Sequence, residues 1–209
     1  MNSVFLDANI LFSWNLNHVF MFFADTKVGL LWPYWSDAVI AEAIKNIMEA
    51  NRAEDINKVK ARFVQMNILF PYASISDYES LSDIEGVDPK DQHVAKAAVH
   101  SECKYLVTGN IPDFIKGNFN GSIKVVTPDS ILSALAKKHP DKSLKATALA
   151  WWHKNGAGNF DEYLAYLGRK TSGVGLTNFE TDIRNYINSI GKPVEDAKNE
   201  ALLGETKRY

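Results

Sequence analysis

Short, unbroken apolar runs alternate with longer amphipathic segments along the first two-thirds of the chain, and this alternation constrains the fold most. Ser3-Val4-Phe5-Leu6 is one such run, ended by Asp7. Ile68-Leu69-Phe70 before Pro71, Tyr105-Leu106-Val107-Thr108 before Gly109, and Ile123-Lys124-Val125-Val126 before Thr127-Pro128 are the others. Between them lie helical patterns. Residues 10–24 are apolar nearly throughout and read as a buried helix. Ser36 is suited to cap a helix from Asp37 to about Asn51, and a polar helix follows from Glu54 to about Met66. Asp88-Pro89-Lys90-Asp91 is a helix start, with a capping side chain, proline in the first turn and an acid three along. That helix runs to about Glu102, and another ends near Lys138. Strands buried on both faces read as continuous apolar runs, so the pattern predicts an α/β fold with a parallel sheet covered by helices on both sides.

His139-Pro140-Asp141 marks a boundary. Residues 1–138 form the expected α/β domain, and 139–209 an all-helical extension of about four helices with no convincing strand. Trp151, Phe160, Tyr163, Leu167, Phe179 and Ile183 give those helices apolar faces. Aromatic side chains at helical spacing are read as core here, although they can also stack bases. Charge divides along the same line. Residues 1–136 hold 11 Lys+Arg against 16 Asp+Glu, and residues 137–209 hold 12 against 9. An acidic front half is unusual for a nucleic-acid binder, which normally carries a basic footprint. It is expected where carboxylates bind metal.

Cys103 is the only cysteine, so the chain can form no internal disulfide, which suits a reducing cytoplasm. Flanked by apolar residues, it reads as a small core side chain. No basic segment followed by an apolar run opens the sequence, so no secretory signal is expected. Val19–Phe23 is far too short to span a bilayer.

Acids fall where strands end and helices begin. Asp7 follows the first strand, Asp88 and Asp91 open a helix, and Asn110 and Asp113 follow the strand at Tyr105. In open parallel sheets, ligands bind beyond the carboxyl ends of the strands. Clustered carboxylates repel one another, and a divalent cation removes that cost. Each acid also has a plainer reading. Asp7 and Asp88 can cap helices, Asp91 can complement a helix dipole, and Asp113 can be a turn residue after Pro112. Glu42 lies away from the apolar stripe of Val39, Ile40, Ala43, Ile44 and Ile47, so periodicity alone makes it a solvated residue. His93 and His100 lie seven apart on one helix, about 10 Å along its axis, too far to share a metal. Both are read as structural or surface residues, and His153 as an exposed or core-packing residue.

Four segments in order give the chain a family resemblance: Val4-Phe5-Leu6-Asp7-Ala8-Asn9-Ile10-Leu11; Ser36 to Ala43 with Glu42; Asp88 to Ala98; and Tyr105 to Phe114. Together they resemble the PIN-domain nucleases, and within them the VapC-type toxins of type II toxin–antitoxin pairs. The resemblance covers about residues 3–136. It implies a PIN-like α/β/α sandwich with a parallel sheet and a catalytic site of Asp7, Glu42, Asp91 and Asp113. It makes Asp7, Asp91 and Asp113 metal ligands, for Mg²⁺ or Mn²⁺, and Asn9, Thr108, Asn110 and Asp88 supporting residues. Some family members carry Asp where Asn110 stands, so Asn110 and Asp113 compete for the fourth position. The helical extension exceeds a minimal PIN domain.

The expected activity is hydrolysis of RNA by a metal-dependent endoribonuclease in the cytoplasm. As a toxin it would have a small antitoxin as partner, inserted over the acidic groove. Homodimerisation through Val19–Phe23 and Leu30–Trp35 is a further expectation. The alternatives are a non-toxin PIN nuclease in RNA processing and a silent PIN-like module that binds RNA or protein. A haloacid-dehalogenase-type phosphotransferase would also begin with an Asp after the first strand, but it needs a second Asp where Asn9 stands.

Overall fold

A computed structural model describes residues 2–51, 53–114, 116–153, 158–169 and 174–205. Five short strands, β1 (Asn2–Leu6), β2 (Leu31–Ser36), β3 (Ser74–Ile75), β4 (Tyr105–Val107) and β5 (Lys124–Val126), form one sheet in the order β3-β2-β1-β4-β5. Every pairing is parallel. The helices are α1 (Ala8–Phe12), α2 (Trp14–Ala24), α3 (Asp37–Ala50), α4 (Ile56–Leu69), α5 (Gln92–His100), α6 (Pro128–Lys138), α7 (Pro140–His153), α8 (Phe160–Gly168), α9 (Thr177–Ser189) and α10 (Val194–Ala201). Short 3₁₀ turns cover Pro89–Asp91 and Ile111–Asp113. The parallel sheet flanked by helices is the α/β/α fold that the alternation predicts. Four helices, α7 to α10, follow residue 139, as the apolar faces suggested.

The described chain divides into two compact units. One holds residues 1–17 and 31–127, the other 18–30 and 128–209. The sequence reading set its boundary at 138/139, whereas here α6 and residues 18–30 group with the helical unit.

In the first unit β1 is the central strand. Val4, Phe5 and Leu6 are all fully buried, as are Leu106 and Val107 of β4. Each fully buried side chain of this size contributes about 1.5–3 kcal/mol through removal from water. Cys103 is buried as expected.

Three local expectations are corrected. Residues 10–24 are not one helix. Ser13 leaves helical geometry at ψ 113°, and its hydroxyl accepts from Leu16 N at 3.4 Å, so it ends α1 and caps α2. Ile68-Leu69-Phe70 is not a strand but the last turn and cap of α4, with Ile68 and Leu69 exposed. A short apolar run does not separate strand from helix by periodicity. The missed strands are the two-residue β3 and β2, whose Pro33 argues against a strand interior. Trp35 N donates to Ala73 O on the β3 side, so Pro33, two residues earlier, faces its missing donor the same way. The β2–β3 pairing begins only at Trp35, so Pro33 disrupts no hydrogen bond there.

The stretches expected to supply a dimer face are largely interior. Val19, Phe20, Met21, Phe23, Leu30, Leu31 and Trp35 are all buried, and Trp32 is the exposed exception. Trp32, 42% exposed, is the apolar surface that these stretches offer. Among the described residues, no helix is long and apolar enough to cross a membrane.

Candidate active site

The chain leaves β1 toward β2 on one side of the sheet, while β4 lies on the other, so the strand order reverses at β1/β4. Crevices at such switch points, beyond the carboxyl ends of the strands, are where α/β sheets bind ligands. Asp7 follows β1 there and Thr108 follows β4. A cavity of about 770 Å³ opens at this edge, and its walls include Asp7, Asn9, Glu42, Asp91, His93 and Asn110.

Asp7 is buried and held from three directions. Ala8 N donates to Oδ1 at 2.6 Å, which makes Asp7 the cap of α1. Thr108 Oγ1 donates to Oδ2 at 2.6 Å, and Asn9 Nδ2 donates to the same oxygen at 2.5 Å. The capping reading and the site reading are therefore both true of this residue. An ionised carboxylate has about four lone-pair positions, so three donors leave about one for a ligand. Burial pushes the Asp7 pKa up, and the charge of Glu42 adds to it. The bonds from Thr108 and Ala8, and His93, pull the other way.

The supporting residues form one network. Gly109 N donates to Asn9 Oδ1 at 2.9 Å, and Asn110 N donates to Thr108 Oγ1 at 2.9 Å. Thr108 thus positions Asp7 and fixes the start of the next loop. Asp88 is a helix-start cap, its Oδ1 accepting from Lys90 N at 3.0 Å, and it does not line the cavity.

Asp91 lies between the 3₁₀ turn and α5. Its Oδ2 is buried and has no hydrogen-bond partner. Burial lifts its pKa to about 6, with Asp7 and Asp113 adding to the rise and Lys90 opposing it. Asp113 does not line the cavity, but it is coupled to it. Its Oδ2 accepts from Asn110 Nδ2 and forms an ion pair with Lys90 Nζ at 3.2 Å. Asn110 and Asp113 are therefore a bonded pair, of which Asn110 lines the cavity.

Glu42 lies on the polar face of α3, which forms one wall of the cavity together with Ala38 and Ala41. Sequence reasoning missed His93. Its Nε2 lies 3.1 Å from Glu42 Oε2 and its Nδ1 lies 3.1 Å from Lys90 O. The available signal was its position two residues after Asp91, which the comparison with His100 obscured.

Asp7, Glu42 and Asp91 share one cavity wall and Asp113 does not, and the four are not drawn into a ready cluster. Among the described residues, no group of three His, Cys, Asp or Glu could hold a metal ion as it stands. Internal donors account for this: Thr108 and Asn9 engage Asp7, Asn110 and Lys90 engage Asp113, and His93 engages Glu42. The donor chemistry still fits a hard, oxygen-seeking cation, because the buried Asp91 Oδ2 has no hydrogen-bond partner and the charge of Asp7 adds to the rise of the Asp91 pKa.

A family model described as PIN domain matches residues 3–112, more than half of the chain. The chain belongs to the PIN-domain family, which gives it a nuclease-type function in kind. Asp7, Glu42 and Asp91 fall inside the matched segment and Asp113 immediately after it. No curated protein and no solved structure matches the chain.

Proposed function

We propose that this chain is a divalent-metal-dependent endoribonuclease of the cytoplasm, with Asp7, Glu42, Asp91 and Asp113 as its acidic machinery. The observation that carries this reading is the orphaned Asp91 oxygen, buried beside other carboxylates with its pKa lifted to about 6. Buried polar atoms are almost always satisfied, and perturbed acids in a cleft mark functional sites.

Asp7, Asp91 and Asp113 would hold Mg²⁺ or Mn²⁺, with Glu42 completing the set directly or through water. Such an ion supplies an activated water and steadies the charge on the phosphodiester. Thr108 and Asn9 lock the Asp7 carboxylate in one orientation. His93 orients Glu42, and Lys90 with Asn110 holds Asp113.

The test is an RNase assay on wild type and Asp7→Asn in Mg²⁺, Mn²⁺ and EDTA. Metal-dependent cleavage by the wild type alone is expected, and equal cleavage by both proteins sinks the reading. The finer setting is a toxin silenced by a small antitoxin, supported by the order and spacing of the four sequence motifs. Growth arrest by the wild type, relieved by the neighbouring small gene, is its signature. A processing nuclease would cleave without arresting growth, and a silent module would bind RNA without cleaving it.

A further inference from the structure

We propose that Lys45 grips the phosphate next to the scissile one, so that the polar face of α3 is the track along which the RNA backbone lies. This rests on the nuclease reading above.

A polyanion entering a carboxylate-lined cavity is repelled unless cations meet it beyond the acids. The first unit is acidic, and among the described residues lining this cavity only Lys45 and Lys90 carry a fixed positive charge. Lys90 is the more firmly paired, its ammonium 3.2 Å from an Asp113 side chain that is only 22% exposed. Lys45 is nearly uncommitted. Its only ion pair among the described residues is to Glu49 at 3.9 Å, and the two side chains are 71% and 66% exposed. Surface pairs of that kind are easily exchanged for a better partner.

Position makes Lys45 the suitable cation. Ala38, Ala41, Glu42, Lys45 and Asn46 all line the cavity, and their spacing of three, four, seven and eight residues is that of one helix face. Lys45 is one turn beyond Glu42, about 4.5 Å along the axis. Small side chains at 38 and 41 leave the wall clear for a sugar–phosphate chain. A lysine one turn further meets that chain at a neighbouring phosphate rather than at the bond to be cut. Its role is binding and register, which separates it from the acids.

The test uses the full chain and a fluorescein-labelled single-stranded RNA of mixed sequence. Binding is measured against salt with the Asp7→Asn background preventing cleavage, and steady-state cleavage is measured with Asp7 intact. Each phosphate contact on a single strand contributes about 0.7 to the slope of log affinity against log salt. Lys45→Ala should lower the slope by that amount and raise KM several-fold more than it changes kcat. Lys45→Arg should restore both, and Lys58→Ala, an exposed α4 lysine outside the cavity wall, should change neither. If the wild type cleaves RNA and Lys45→Ala keeps the full salt slope, the inference falls and the nuclease reading stands. If no metal supports cleavage but Lys45→Ala still flattens the slope, the nuclease reading falls and the contact stands. If the chain binds no RNA, both fall.

Discussion

The acids of the two units are treated in opposite ways. In the sheet unit, Asp7 is buried and Asp91 has one buried oxygen, the charges of other carboxylates act on both, and both pKa values are raised. In the helical unit, acids are matched to bases. Glu205 pairs with Lys27 and with Lys145, the latter at 2.8 Å, and its pKa falls to about 2. Arg184 bridges Asp161 and Glu180, and Lys198 donates to Glu195 at 2.6 Å. The sheet unit also has ion pairs, Lys96 with Asp83 and Lys90 with Asp113, but Asp7 and Asp91 form none with a lysine or arginine among the described residues. Opposition that the fold does not relieve is where a ligand can contribute, so the contrast locates function in the sheet unit.

The largest test of this contrast is Asp7→Asn, expected to lower metal-dependent RNA cleavage by more than about 100-fold, above the range for supporting residues. Thr108→Val comes next. It removes the donor to Asp7 and the acceptor for Asn110, and cleavage should fall about 10- to 100-fold while circular dichroism stays native. Third is thermal stability. The Asp91 pKa of about 6 lies above its ordinary 3.8, so the folded chain retains the proton. Stability from this group therefore declines as pH rises from about 3.8 through about 6, and the penalty is complete above that. At pH 7.5, Mg²⁺ or Mn²⁺ at about 100 times its Kd should return about 2.7 kcal/mol, read as a rise in Tm. Asp91→Asn should raise the Tm of the metal-free protein and remove most of the response. A metal-independent Tm in the wild type would break the comparison.

The smallest effect lies in the helical unit. Glu205→Gln should lower stability by about 0.2–1 kcal/mol and leave cleavage untouched. Its pH dependence has the opposite sign. The Glu205 pKa lies below its ordinary 4.5, so its stabilisation is present above about 4.5 and is lost as pH falls toward about 2. Acid titration of the two variants thus separates the units by sign as well as size.

Much of the frame was legible. The Ser36 cap is made by its hydroxyl accepting from Val39 N at 3.3 Å, and Asp88 caps as read, although what it opens is the 3₁₀ turn Pro89–Asp91, with α5 starting only at Gln92. These signals are local, carried by one side chain and the backbone two or three residues away. β2 was not legible, because Pro33 is tolerated only through where β3 begins, a fact of pairing between distant segments. Glu42 shows the same limit. Periodicity placed it off the core stripe, which is correct, but only the cavity wall distinguishes that position from open solvent. His93 was misjudged because its partner Glu42 is 51 residues away.

By itself, then, the sequence determined the class of fold, the turns at which strands give way to helices, and the acids at those turns, since hydrophobic burial and capping are decided within a few residues. Tertiary structure decided which acids meet, which donors already occupy them, and that Asp91 is left with an unpaired oxygen. Those outcomes depend on distances between segments as far apart as Asp7 and Thr108, and electrostatic coupling acts through space rather than along the chain.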